Sequence, residues 1–164
     1  MSAYTAIASQ TLGSSASSVT FSSIPGTFRD LVLVADAGAS GSTYLGMRLN
    51  GDTGSNYPQV TMSGNGSQTS SQSATRTNIG EMGLDWGLTA STRANHIFQI
   101  MDYSVTDKHK SVLHRRNNDG IEVLALAARW ANTSAVTSIT LLTIGGAAQT
   151  FNAGSTFSLY GVSA

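Results

Sequence analysis

The first residues that could do chemistry lie in the glycine-rich segment RLNGDTGSNYPQVTMSGNGSQTSS, residues 48–71. Asn50, Asp52 and Asn56 carry the oxygens that a hard cation such as Ca²⁺ binds, but such an ion takes about six to eight of them. The spacing differs from that of an EF-hand loop, and no glutamate follows. The same residues suit a tight turn, since Asn, Asp and Gly tolerate positive φ. We expect Asp52 to be a turn residue, with a metal ligand as the alternative.

No arrangement typical of a catalytic site occurs elsewhere. His109 and His114 lie five residues apart in a predicted strand and so point to opposite faces, and His96 begins another strand. We therefore expect surface histidines and no zinc site. Glu81 and Asp85 would share one face of a strand, with a single aromatic ring beside them. The chain has no G-x-S-x-G elbow and no phosphate-binding loop. We predict that it is not an enzyme and binds no cofactor.

The densest charge lies in the segment DKHKSVLHRR, residues 107–116, which holds four of the nine basic residues: Lys108, Lys110, Arg115 and Arg116. These side chains could contact nucleic acid or an acidic partner. They could also be the charges that keep an edge strand from pairing with other chains. The segment lacks aromatic residues that stack on bases, and nine acidic residues balance the basic ones. We predict an edge strand, with protein as its only partner and no nucleic-acid binding.

The elements that position these residues are predicted to be strands. Charged residues make up 11% of the chain against a usual share of about 25%, whereas Ser and Thr number 24 and 19. Such residues suit strands and turns better than helices. Cysteine is absent, which excludes disulfides and thiolate metal sites. We also expect no membrane span and no signal peptide, because no apolar stretch has about 20 residues and the N-terminus lacks a basic segment.

About ten short strands separated by turn signals predict an all-β, antiparallel sandwich of the jelly-roll type. We assign residues 18–164 to one sandwich domain and residues 1–17 to an N-terminal arm or a first strand. The predicted strands cover residues 3–12, 18–24, 29–37, 43–50, 57–63, 82–88, 95–103, 110–116, 121–130, 136–144 and 155–162.

Four of these predictions are specific enough to be checked one by one. Residues 29–37 are apolar at odd and even positions, which predicts a central strand covered on both sides. Residues 64–80 are small and polar, which predicts a long exposed loop. Asp119-Gly120 predicts a hairpin turn. Residues 121–130 have the Leu and Ala content of a helix, but the turn before them favours a strand.

Several segments together resemble a group of small virion proteins of tailed bacteriophages: FSSIPGTFRDLVLVADA, MRLNGDTGSNY, IMDYSVTDKHKSV and SAVTSITLLTIGGAAQTFNAGSTFSLYGV. The resemblance covers roughly residues 18 to 162. It implies a jelly-roll β-sandwich that is a capsid cement or decoration protein, or a module of a tail fibre. The motifs fall on predicted turns and core strands, so they indicate the fold and transfer no catalytic site.

From this resemblance we expect a cement protein that binds the major capsid protein of the same phage and stabilises the assembled head. It would be a homotrimer on the capsid surface, made in the bacterial cytoplasm, with residues 1–17 over a neighbour and the Lys108–Arg116 cluster facing the capsid. Because 164 residues are few for a tail fibre, which normally carries an attachment region and a long shaft, we expect a stand-alone decoration protein. The alternative is a receptor- or glycan-binding fibre tip, whose stacking platforms for sugars would be Tyr44, Tyr57, Trp86 and Trp130.

Overall fold

The computed structural model describes residues 4–80, 82–118, 121–145 and 147–163. These residues form strands and turns, and among them there is no helix that could cross a membrane. The strands are β1 (Tyr4–Thr11), β2 (Ser18–Phe21), β3 (Asp30–Ala37), β4 (Tyr44–Leu49), β5 (Tyr57–Gly64), β6 (Thr69–Arg76), β7 (Ile79–Gly80), β8 (Ala94–Met101), β9 (Lys110–Asn118), β10 (Glu122–Trp130), β11 (Ile139–Ile144) and β12 (Thr156–Val162).

Two antiparallel sheets form the sandwich. The large sheet has eight strands in the order β1-β12-β3-β8-β9-β10-β5-β6, and the small sheet has four in the order β2-β11-β4-β7. The first and last strands of the chain pair with each other, and β2, β4 and β11 each cross to the sheet opposite their sequence neighbours. The predicted fold class, an antiparallel sandwich of the jelly-roll type, is confirmed.

The core lies between the two sheets because side chains alternate along each strand. Leu31 and Leu33 of β3 are fully buried, as are Met47 of β4 and Leu141 of β11 from the small sheet. Strands β9 and β10 alternate buried and exposed positions along their whole length. Complete burial of one such side chain stabilises the fold by about 1.5–3 kcal/mol. Because β10 alternates in this way, the strand predicted at residues 121–130 is confirmed and the helix alternative is excluded.

Strand β3 is covered on one side only, so the prediction of cover on both sides is wrong. Its odd-numbered residues from Leu31 face the core, whereas Val32 is half-buried and Val34 is 36% exposed. The second apolar face therefore belongs to the surface of the large sheet. Its neighbours on β8 and β12 decide its environment, and these pairings are invisible in a local sequence pattern.

Residues 64–80 are mostly strand, and the prediction of a long loop is wrong. β6 pairs with β5 over eight residue pairs, from Tyr57 with Arg76 to Gly64 with Thr69. The turn between them is closed by Asn65, whose Oδ1 accepts hydrogen bonds from the backbone N–H groups of residues 67 and 68. β6 is the edge of the large sheet, and small polar residues occupy both of its faces. Its sequence therefore carries no alternation that would reveal a strand.

Three further expectations have different outcomes. Residues 82–88 form no strand, and only Leu88 makes an isolated bridge, to Thr43. Within the segment that we assign to an N-terminal arm or a first strand, Tyr4–Thr11 form β1, which pairs with β12 along the edge of the large sheet. The predicted turn at Asp119-Gly120 lies outside the described residues.

Candidate functional site

Asp52 lies directly after a tight turn, and its carboxylate accepts three hydrogen bonds. Asn50 and Gly51 adopt positive φ values of 52° and 67°, as the turn prediction requires. Asp52 Oδ1 accepts from the Gly54 N–H at 2.8 Å. Its Oδ2 accepts from Asn56 Nδ2 at 2.9 Å and from Trp130 Nε1 at 2.7 Å. The indole N–H of Trp130 is the main cause that holds the pKa of Asp52 below its ordinary value.

Through these hydrogen bonds the carboxylate of Asp52 connects the β4–β5 turn to β10. Its two oxygens face protein donors, which a cation would have to displace. Among the described residues there is no group of three or more His, Cys, Asp or Glu side chains that could hold a metal ion. The geometry therefore assigns the glycine-rich turn a role in the fold.

The basic cluster is divided between the loop before β9 and the two faces of β9, and the prediction of an edge strand is wrong. β9 lies inside the large sheet between β8 and β10. Lys108 and Arg115 are exposed, and Lys108 Nζ lies 2.7 Å from Asp102 Oδ2. Lys110 and Arg116 are buried, so neither can contact a partner as predicted. Alternation along β9 explains why Arg115 faces outward while Lys110 and Arg116 share the parity of the apolar core positions, whereas Lys108 is exposed because it lies in the loop before β9.

Lys110 is held by backbone carbonyl groups. Its Nζ donates to the carbonyl oxygens of Val105 at 2.6 Å, Lys108 at 2.9 Å and Thr133 at 3.1 Å. Burial lowers the pKa of Lys110 from its ordinary value. The ammonium group thus ties the loop before β9 to the loop after β10.

The histidine prediction is wrong for two of the three residues. His109 is exposed, but His96 and His114 are buried, and His96 Nδ1 lies 3.2 Å from His114 Nε2. Phe98 stacks on His114 with ring centroids 3.9 Å apart. The sequence contained a signal for this, because His96 shares its parity with Phe98 and Ile100 on β8.

A buried polar cluster lies beside these histidines on the inner face of the large sheet. Arg116 and Glu122 form an ion pair between β9 and β10, and both are almost fully buried. Glu122 Oε1 also accepts from the N–H of Leu84 at 2.6 Å. Asn118 Nδ2 donates to the carbonyl oxygen of Trp86 at 3.1 Å. The cluster thereby fixes the segment 82–86 over the inner face of the sheet.

The opposite face of the large sheet carries an exposed apolar patch, which we call the outer face. Its large members, with their exposed fractions, are Val34 36%, Val60 50%, Met62 63%, Ile97 41%, Leu113 45% and Val123 63%. Cross-strand pairs join these positions into one surface across five strands, from β3 through β8, β9 and β10 to β5. A hollow of about 460 Å³ lies in its centre, lined also by Arg115, Ala125 and Ala127.

A second concave feature, which we call the edge groove, lies where β6 meets segment 82–86 and the end of β11. It has a volume of about 280 Å³ and is lined by Tyr44, Gln72, Arg76, Met82, Gly83, Trp86, Ile144 and Gly145. The rings of Tyr44 and Trp86 have centroids 4.7 Å apart and planes inclined at 34°. Trp86 is 39% exposed. This groove joins residues that are far apart in the sequence, so no local pattern predicts it.

Two of the four predicted stacking platforms are excluded by burial. Tyr57 is fully buried, and burial raises its pKa to about 12. Its hydroxyl donates to the carbonyl oxygen of Asp52 at 3.1 Å. Trp130 is 1% exposed. Only Tyr44 and Trp86 remain as candidates for contact with a ligand.

This chain has only distant similarity to known proteins. No protein-family model matches the sequence, and no curated protein is significantly similar to it. Galectin LEC-6 of Caenorhabditis elegans is a similar solved structure, with 9% identity, a TM-score of 0.36 and coverage of 95% of this chain and 96% of that chain. The alginate lyase Aly36B has 12% identity, a TM-score of 0.41 and coverage of 93% and 78%. A double mutant of that lyase in complex with alginate tetrasaccharide has 11% identity, a TM-score of 0.37 and coverage of 95% and 79%.

Proposed function

We propose that this chain is a structural subunit of a larger assembly, and specifically a decoration protein that binds the assembled head of a tailed bacteriophage and stabilises it. The observation that carries the proposal is the outer face. Its six large apolar side chains are 36–63% exposed and adjacent across five strands. We propose the major capsid protein as the partner and a homotrimer as the oligomeric state.

The size of the outer face supports a role in binding. Four inter-strand spacings give a width of about 20 Å, and the four residue steps from Val123 to Ala127 give a length of about 14 Å. The patch is therefore about 300 Å² in plan, a size that on monomeric proteins is often functional. It is the apolar centre of an interface, with Ser111, Asn117 and Asn95 as its exposed polar margin.

Arg115 and the overall charge are compatible with docking. Arg115 lies in the outer face beside Ile97 and Ala125, and Arg is enriched at protein interfaces. Nine basic and nine acidic residues leave no net charge to repel further copies of the chain or a charged shell. The buried positions of Lys110 and Arg116 remove half of the basic segment from the surface.

The stabilising mechanism is mass action. A subunit that binds the closed shell and not its separated proteins stabilises the shell by RT ln(1 + [L]/Kd). At a free concentration of about 100 times Kd this is about 2.7 kcal/mol per site. Many sites on one head therefore add to a large total without any chemical reaction.

The test is a phage that lacks the gene for this chain. We expect its heads to release DNA at a lower temperature, measured with a DNA-binding dye, and added protein to restore the original value. Leu113→Asp, at the centre of the outer face, should fail to restore it, because a carboxylate would be buried against apolar atoms. Ser111→Asp is the matched control, since it lies on the same strand and face but at the polar margin. Unchanged heads after deletion would sink the proposal.

The aromatic pair in the edge groove, an exposed Trp86 beside a half-buried Tyr44, favours a second function, saccharide binding by a tail-fibre tip. An exposed Trp86 ring offers a flat apolar platform, and such rings stack against the C–H face of a sugar. Trp86→Ala should abolish binding on a glycan array, whereas the outer-face variant Leu113→Asp should not alter it. Labelled antibody that finds the chain on heads and never on tails would exclude this function.

A further inference from the structure

We propose that the edge groove binds a carboxylated sugar residue, with the sugar ring against Trp86 and the carboxylate on Arg76. The inference rests on the second function proposed above, saccharide binding, and names the class of ligand. It is carried by two features of the groove, a fixed aromatic platform and a cation that pairs with no carboxylate of the described residues.

The platform is held in place before any ligand arrives. Trp86 packs against Tyr44 on one side and against Gly145, where a Cβ atom would lie 3.4 Å from Trp86 Cζ3. Gly145 has a φ of 76°, which few other residues adopt. The Trp86 carbonyl is anchored by Asn118. The exposed part of the indole is thus a rigid surface, and a ligand loses little free energy in ordering it.

Arg76 is the only charged residue among the described residues that line the groove. It is half-buried on the edge strand β6, and no carboxylate of the described part of the chain pairs with it. Arg93, Lys108 and Arg116, by contrast, each contact a carboxylate. A guanidinium group presents parallel N–H donors that match a carboxylate in a bidentate contact. Because no carboxylate of the described residues occupies Arg76, the groove favours an acidic ligand over a neutral one.

The remaining lining fits one sugar residue with its substituents. Gln72 lies on the same face of β6 as Arg76, four residues before it, and supplies an amide for ring hydroxyl groups. Ile144 and Met82 give the groove an apolar floor. Its volume of about 280 Å³ is just below the usual range of about 300–1,000 Å³ for sites that take drug-sized molecules. The groove is open at the sheet edge, so the rest of a chain can continue into solvent.

The test compares two probes with the same sugar backbone, tetragalacturonate and its uncharged full methyl ester, by titration calorimetry. A panel of glucuronate-bearing and sialylated oligosaccharides is titrated in parallel, so that the identity of the sugar does not decide the result. We expect at least one acidic saccharide to bind about 10-fold or more tightly than its neutral ester, since a charge-assisted bond strengthens binding. This preference should weaken as salt is added.

Variants then assign the two contacts. Arg76→Gln should reduce the affinity for the acid by about 10- to 100-fold, down to that for the ester, and leave the ester unaffected. Arg129→Gln, an exposed arginine on β10, is the matched control and should change neither. Trp86→Ala should abolish binding of both the acid and the ester. Should the acid and ester bind equally well, the charge recognition is wrong while saccharide binding stands. Should no saccharide of the panel bind at millimolar concentration, both are overturned.

Discussion

Replacing Asp52 by alanine gives the sharpest test of what the glycine-rich turn does. If the carboxylate fastens the turn to Trp130, its loss destabilises the fold. If it is a metal ligand, its loss matters only when the ion is present. Thr53→Ala, at the next residue, is the matched control, because Thr53 is exposed and no side-chain hydrogen bond of it is found in the described residues.

The expected magnitude follows from the three donors that lose their acceptor. The Gly54 N–H is exposed and the Asn56 amide is half-buried, so both can turn to water and each loss costs little. Trp130 is 1% exposed, and its indole N–H would be left unpaired at a cost of about 1–3 kcal/mol. Together with the lost charge-assisted bond, we expect Asp52→Ala to lower the free energy of unfolding by about 2–4 kcal/mol. Thr53→Ala should stay within about 0.5 kcal/mol of the parent.

The assay is urea denaturation followed by tryptophan fluorescence, with and without Ca²⁺. The pKa of Asp52 is lower in the folded protein than its ordinary value of 3.8. Its stabilisation is therefore present at neutral pH and is lost as the pH falls through the folded pKa. The difference between parent and Asp52→Ala should accordingly shrink in acid. A double-mutant cycle with Trp130→Phe should give a coupling energy of about 1 kcal/mol or more.

Two results would refute this reasoning. The first is an Asp52→Ala protein as stable as the parent at neutral pH, which would mean that the Trp130 contact contributes nothing. The second is a parent protein that Ca²⁺ stabilises and an Asp52→Ala protein that it does not, which would restore the metal alternative.

The remaining predictions concern the charged residues of β9 and β10. Lys110→Met should cost about 1–3 kcal/mol in urea denaturation, because three carbonyl groups lose their donor, whereas Lys108→Met at the exposed neighbour should change stability by less than about 0.5 kcal/mol. Equal effects of the two changes would contradict the assignment of Lys110 as a buried tie. Arg116→Met should cost about 3–5 kcal/mol because it leaves Glu122 charged and buried, and Arg116→Met combined with Glu122→Leu should recover part of that loss. A double variant less stable than the single one would show that the pair is not the dominant interaction.

Much of the fold could be predicted because it depends on local alternation. In β10, Leu124, Leu126 and Ala128 share one parity and face the core, and the pattern alone favours a strand. β6 was missed because small polar residues occupy both of its faces. Its strand geometry comes from the ladder with β5, and a partner of that kind leaves no mark on the sequence of the strand itself.

The candidate sites were harder to predict because charge conflicts with parity. Lys110, His114 and Arg116 share the parity of Val112, which predicts that they face the core, but their polarity predicts the surface. The three side chains face the core, as parity predicts, because each of them has a polar partner there, such as Glu122 for Arg116. Those partners become known only when the two strands and the segment 82–86 are placed side by side.

The paired strands β9 and β10 contribute to both proposed surfaces, one through each face of the pair. Its outward residues, such as Leu113, form the centre of the outer face. Its inward residues act on the edge groove, because Glu122 accepts the N–H of Leu84 and Asn118 holds the carbonyl of Trp86. An inward change such as Asn118→Ala should then loosen the Trp86 platform and weaken saccharide binding, while leaving the outer face exposed and intact. An outward change such as Leu113→Asp should impair binding through the outer face and leave saccharide binding unaltered. Inward and outward substitutions on this strand pair therefore separate the two proposed functions.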